Sequence, residues 1–150
     1  MRFDKRAGRT AAFALITVVL AGTSSAMAAR VLNVRDEGKL HLISSSGSEL
    51  FDEGPAAGTI PGRVRVNFIY NGNPAVSAKF TIYGHSGSIS GRAKARLSNP
   101  TSPDPSFRGA FMVTGGSGDY ARIHGTGELF GVFTRRGYVL VVQTIGRLPY

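Results

Sequence analysis

Arg63-Val64-Arg65-Val66-Asn67-Phe68-Ile69-Tyr70-Asn71-Gly72-Asn73-Pro74-Ala75-Val76-Ser77-Ala78-Lys79-Phe80-Thr81-Ile82-Tyr83 decides the fold. Val64, Val66, Phe68 and Tyr70 alternate with Arg63, Arg65, Asn67 and Ile69. After the break, Val76, Ala78, Phe80 and Ile82 alternate with Ala75, Ser77, Lys79 and Thr81. Successive side chains of a strand point to opposite faces, so both halves are predicted to be half-buried strands. One wet and one dry face belongs to an antiparallel sheet. Between them, Asn71-Gly72 supplies the positive φ of a tight hairpin, and Pro74 interrupts the ladder.

The same period continues outward. Ile89, Gly91, Ala93, Ala95 and Leu97 alternate with polar neighbours beyond a Gly84-His85-Ser86-Gly87 turn. Residues 99–105 contain three prolines, which forbid regular pairing and predict a long loop. Further strands are expected over 107–114, 120–133 and 138–148. Val139-Leu140-Val141-Val142 is apolar on both faces, which predicts cover on both sides. Upstream, 29–34 and 40–44 read as two short strands. Residues 44–61, rich in Ser, Gly, Glu, Asp and Pro, read as a surface loop. No stretch after Ala29 shows a helical period. The expected fold is therefore all-β, with about eight strands. Small residues at Gly91-Ala93-Ala95 and at Gly125 and Gly127 favour a tightly curved antiparallel β-barrel, with a two-sheet sandwich as the alternative.

The first 28 residues follow another logic. Arg2, Lys5, Arg6 and Arg9 precede an apolar run that starts at Ala11 and ends near Gly22. Small residues through Ala26-Met27-Ala28 come next. This is the layout of a cleavable signal peptide, and the run is short for a membrane span of about 20 residues. Residues 29–150 then form a single domain in a secreted or periplasmic protein. That domain keeps fourteen basic and eight acidic side chains, a net charge of +6. Such a charge fits a solvated surface, and it leaves a polyanion as a second class of partner if Arg63, Arg65, Arg92, Lys94 and Arg96 fall on neighbouring strands. Specific nucleic-acid recognition has no motif here. The chain has no cysteine, which removes thiol chemistry and disulfide staples; a domain of this size can build its core without them.

The segment Phe111-Met112-Val113-Thr114-Gly115-Gly116-Ser117-Gly118-Asp119-Tyr120, continuing to Gly125-Thr126-Gly127, resembles the signature of dirigent proteins and their allene-oxide-cyclase-like relatives. Gly115, Gly116, Gly118, Tyr120 and Gly125 stand on its fixed positions, with Ser117 in place of Thr. Gly87-Ser88-Ile89-Ser90-Gly91-Arg92-Ala93 resembles the strand preceding it. The resemblance implies an eight-stranded barrel, often a homo-oligomer, with a central cavity for a hydrophobic ligand or reactive intermediate. Ala121 and His124 stand where plant members often carry Arg. The family's acidic N-terminal motif is not recognisable, although Asp36-Glu37 lies in its region.

Other chemistry is sparse. The Gly-Gly-Ser-Gly run reads as a turn in which at least one of Gly116 and Gly118 takes positive φ. As a nucleotide loop it lacks the following helix and the downstream acid. Gly84-His85-Ser86-Gly87-Ser88 nearly matches a nucleophile elbow, without its helix. His41, His85 and His124 are too scattered for a metal site, and in a strand His124 and Glu128 stand about 13 Å apart. No metal or cofactor is expected. Tyr70, Tyr83, Tyr120 and Arg122 are the candidate ligand-binding residues of a barrel pocket. If residues 120–133 are one strand, Tyr120, Arg122 and His124 share a face. Binding of a small apolar ligand ranks first. Polyanion binding by a surface protein and guided coupling or cyclisation of a reactive intermediate are the alternatives. Catalysis ranks below binding because no general acid/base pair is identifiable.

Overall fold

The structure is a computed structural model that describes residues 30–70 and 73–150. The signal peptide expected over 1–28 and the hairpin turn expected at Asn71-Gly72 lie outside the described residues. Eight strands run in chain order: β1 (Val31–Ser46), β2 (Glu49–Gly58), β3 (Gly62–Ile69), β4 (Ala75–Gly84), β5 (Gly87–Ser98), β6 (Ser106–Gly116), β7 (Gly125–Thr134) and β8 (Val139–Pro149). Each pairs antiparallel with the next, and β8 pairs back onto β1 from Val31↔Pro149 to His41↔Val139. The sheet is a closed barrel, so no strand presents an unpaired edge. The sandwich alternative is thereby settled against.

Three sequence expectations change. Residues 44–61 are mostly β2 rather than a loop. Acidic residues and Pro55 disguise this strand. Along β1 the register holds from Gly38↔Ala56 to His41↔Glu53, but Gly54 and Pro55 between them have no partner there, so the proline stands in a gap of that ladder. Residues 31–46 form one long strand instead of two, bent by a bulge between Leu42 and Ser44. The predicted strand over 120–133 begins only at Gly125; Gly118–Tyr120 is a 3-10 turn. The both-face apolar run of β8 lies in a single-layered wall, with Leu140 and Val142 facing the lumen and Val139 and Val141 outside.

Side-chain size grades the interior. At the end where β1 begins and β8 finishes, Val34, Ile60, Ile89, Val113, Ile123 and Leu148 are buried in one cluster. Ile60 and Ile123 come from the loops there and form a floor. This floor is clamped from outside. Ser117 Oγ accepts the Ser88 amide at 3.0 Å, the Ser117 amide donates to Ser88 O at 2.8 Å, and Asp119 N donates to Ser86 O at 2.9 Å. Gly118 holds φ +60°, as the turn reading requires, and a β-carbon there would meet the Ser86 carbonyl.

Higher in the barrel, aromatic rings take the space of absent β-carbons. The Phe111 ring lies over Gly127 and Gly146, and the Phe80 ring lies over Gly91. The two rings meet edge to face at 6.1 Å between centroids. Inner-face glycine is thus a packing requirement as well as a point of curvature. We predict that Gly127→Ala drives its methyl into the Phe111 ring and costs about 1–3 kcal/mol. Gly115→Ala, where nothing lies within 4 Å of a β-carbon, should stay within about 0.5 kcal/mol of wild type. Urea midpoints at constant m-value check both.

Candidate functional site

Above the floor the lumen is hollow. A cavity of about 190 Å³ runs between the inner faces of all eight strands. Toward the opposite end, Val66, Phe68, Tyr70, Val76, Ala78 and Leu97 are only half-buried, and this end is the mouth. The hollow follows from the small inner residues Ala78, Ala93 and Ala95, which leave the middle of the barrel unfilled. On one side the mouth is strapped: Phe133 N donates to Pro105 O at 3.0 Å, and the Arg135 guanidinium donates to Pro100 O.

Among the described residues, only Asp36, Tyr70, Arg135 and Thr144 bring polar side chains to the cavity lining. Tyr70 and Arg135 belong to the mouth. Asp36 and Thr144 are register partners on β1 and β8, deeper inside. The Asp36 carboxylate is 7% exposed. Its Oδ1 accepts the Ile60 amide at 2.8 Å, and its Oδ2 has no partner. Burial pushes its pKa up, and the amides of Ile60 and Thr59 offset part of that rise. The loop that supplies the floor therefore also fixes the orientation of the one acid in the cavity.

Of the four candidate binding residues, Tyr70 alone lines the cavity. Tyr83 lies on the outer face, 47% exposed, with the Arg65 guanidinium 5.6 Å from its ring centroid. Tyr120 packs against the floor from the loop before β7. Arg122 is exposed in the same loop, outside the lumen. The shared strand face expected for Tyr120, Arg122 and His124 does not exist, because these residues precede the strand. Asp36 and Thr144 went unassigned. The period-two pattern held their signal: Asp36 falls between Val34 and Leu40 on the apolar parity of β1. Among the described residues no three His, Cys, Asp or Glu side chains converge.

A second acid faces inward without lining the cavity. By register Asp52 joins Leu42 and Val66 on the inner side, and it is 2% exposed. Neither of its carboxylate oxygens has a hydrogen-bond partner. Burial pushes its pKa up to about 6. Its neighbour Glu53 points outward into ion pairs with Arg63 and Arg65.

An acid whose folded-state pKa exceeds its unfolded value stabilises the fold least when ionised. The ionisation of Asp52 should therefore cost nothing well below pH 3.8, progressively more up to about pH 6, and a constant amount above. The full penalty is on the order of 3 kcal/mol. Asp52→Asn is expected to melt higher than wild type at pH 8 and together with it at pH 4. Thermal unfolding across that range checks this.

Compared with known proteins, the chain matches no family model, no curated protein and no solved structure. The dirigent resemblance thus stands on its motif residues.

Proposed function

We propose that the protein is an exported carrier or receptor that binds one small, mostly apolar molecule in the barrel lumen. The observation that carries this is the hollow, apolar lumen with a closed floor. An eight-stranded barrel can fill its interior with its own side chains. Here alanines stand where larger residues would do so. The outer wall is charged on β1, β3 and β5 while the lumen is apolar, the reverse of a membrane-spanning barrel.

Size limits the ligand. An apolar cavity of roughly 150 Å³ holds benzene, so about 190 Å³ takes one substituted ring or a short branched chain. Polarity refines it. The orphaned Asp36 Oδ2 gains from a hydrogen-bond donor, and the Thr144 hydroxyl stands on the neighbouring strand. A small aromatic or aliphatic alcohol fits both terms. The signal-peptide layout supports export. The barrel and its apolar lumen agree with what the dirigent-like motif implies, which supports kinship with that superfamily.

Calorimetric titration with benzyl alcohol and with toluene tests the reading. Saturable one-site binding, insensitive to salt, is expected for both, with the alcohol favoured by roughly tenfold through one hydrogen bond to a carboxylate. Ala78→Phe should fill the lumen and abolish binding while the barrel still melts cooperatively. Asp36→Leu should erase only the preference for the alcohol. Undiminished binding by Ala78→Phe would show that the lumen is not the site.

A further inference from the structure

The outside of the barrel carries a second feature, independent of the lumen. Between Glu53 and Asp104 the chain has six basic residues and no acidic one. The register gathers them on one flank. Lys79 on β4 stands directly opposite Arg92 on β5, and Arg96 on β5 stands directly opposite Arg108 on β6. Like charges placed across a strand pair destabilise a sheet. Arg63 and Arg65 share the single carboxylate of Glu53, and Arg108 reaches Glu128 at 3.4 Å. Lys79, Arg92, Lys94 and Arg96 are exposed and make no ion pair. Two of the domain's acids, Asp36 and Asp52, are buried inward and leave the surface more basic than its formal charge.

We propose that this flank binds a linear anionic polysaccharide, with Arg92, Lys94 and Arg96 as its ladder. These three repeat every second residue along β5, so their charges recur about every 7 Å on one straight line. A straight row of evenly spaced cations complements an extended chain of regularly spaced anions. A membrane-surface site would combine its cations with apolar side chains for the acyl boundary. A single-stranded nucleic-acid site would interleave aromatic platforms. The β5 row is flanked instead by Lys79, Ser77 and Ala75 on β4 and by Met112, Ala110 and Arg108 on β6, so one large apolar side chain and no aromatic ring stands directly opposite it. A polyanion laid along it would relieve the Lys79–Arg92 and Arg96–Arg108 repulsions, which gives the unpaired charges a physical use.

Binding of the protein to a heparin oligosaccharide and to a polyuronate chain, measured at rising salt, tests the proposal. Affinity should fall steeply with salt, because exposed charges are screened beyond about 8 Å at physiological ionic strength. Bound polysaccharide should raise the melting temperature. The triple variant Arg92→Ser, Lys94→Ser, Arg96→Ser should bind at least tenfold more weakly and melt no lower than wild type. Arg35→Ser, Lys39→Ser, Arg147→Ser removes equal charge from β1 and β8 and should bind within about twofold of wild type. Equal loss in both variants would overturn the proposal by showing that net charge alone attracts the probe. Tighter binding to phosphatidylglycerol vesicles or to single-stranded DNA at the same salt would also overturn it. The toluene titration is a separate readout, so the lumen and flank readings fail independently.

Discussion

The width of an eight-stranded barrel governs everything else in this molecule. Closing eight strands leaves an interior that ordinary side chains just fill. Whether the lumen is solid or hollow then depends on the sizes of alternate residues. Branched side chains and two loop isoleucines make a solid floor. Alanines in the middle leave a space. Deeper in the barrel, phenylalanine rings lie where neighbouring strands drop their β-carbons, as Phe111 does over Gly127 and Gly146. Small residues therefore have two opposite effects here. Glycine admits a ring that fills space, and alanine leaves space open.

The same interior treats two carboxylates differently. Asp36 is held by the amide of a floor residue, lines the cavity, and has its second oxygen buried without a partner among the described residues. Asp52 sits between apolar neighbours with no partner at all. Burial raises both, but only Asp36 belongs to the cavity lining. A buried acid that is half-anchored is a binding group in waiting, whereas an unanchored one is mainly a cost to stability.

Strand alternation made most of the architecture legible. The hairpins from Arg63 to Leu97 read directly, because one face is dry and the other wet. β2 escaped because its inward positions hold Asp52, Gly54 and Ala56, so the apolar half of the alternation is missing. The short turn before β7 escaped because Ile123 shares the parity of Gly125, Gly127 and Leu129 and so continues the strand pattern upstream. The site was legible only at Tyr70. Parity alone placed Asp36 among inward positions, but a lone acid on an apolar face looks like an exception until the barrel closes around it. Tyr83 and Arg122 illustrate the opposite error: aromatic and basic residues suggest a pocket, yet the first belongs to the wet face and the second to a loop.

The β1–β8 seam has a kinetic meaning. All other strand pairs join neighbours in sequence, so they can form as local hairpins. The seam joins residues 98 to 118 positions apart, with Glu37 accepting from Gln143 at 2.8 Å. Its loop-closure entropy must be met before its bonds can repay it. An open, curled sheet of seven hairpins is the natural precursor, with β1 and β8 as two raw edges. During that interval the chain is most exposed to pairing with another copy of itself. An intermediate of that kind also has no enclosed lumen, so the cavity comes into being only with the last pairing.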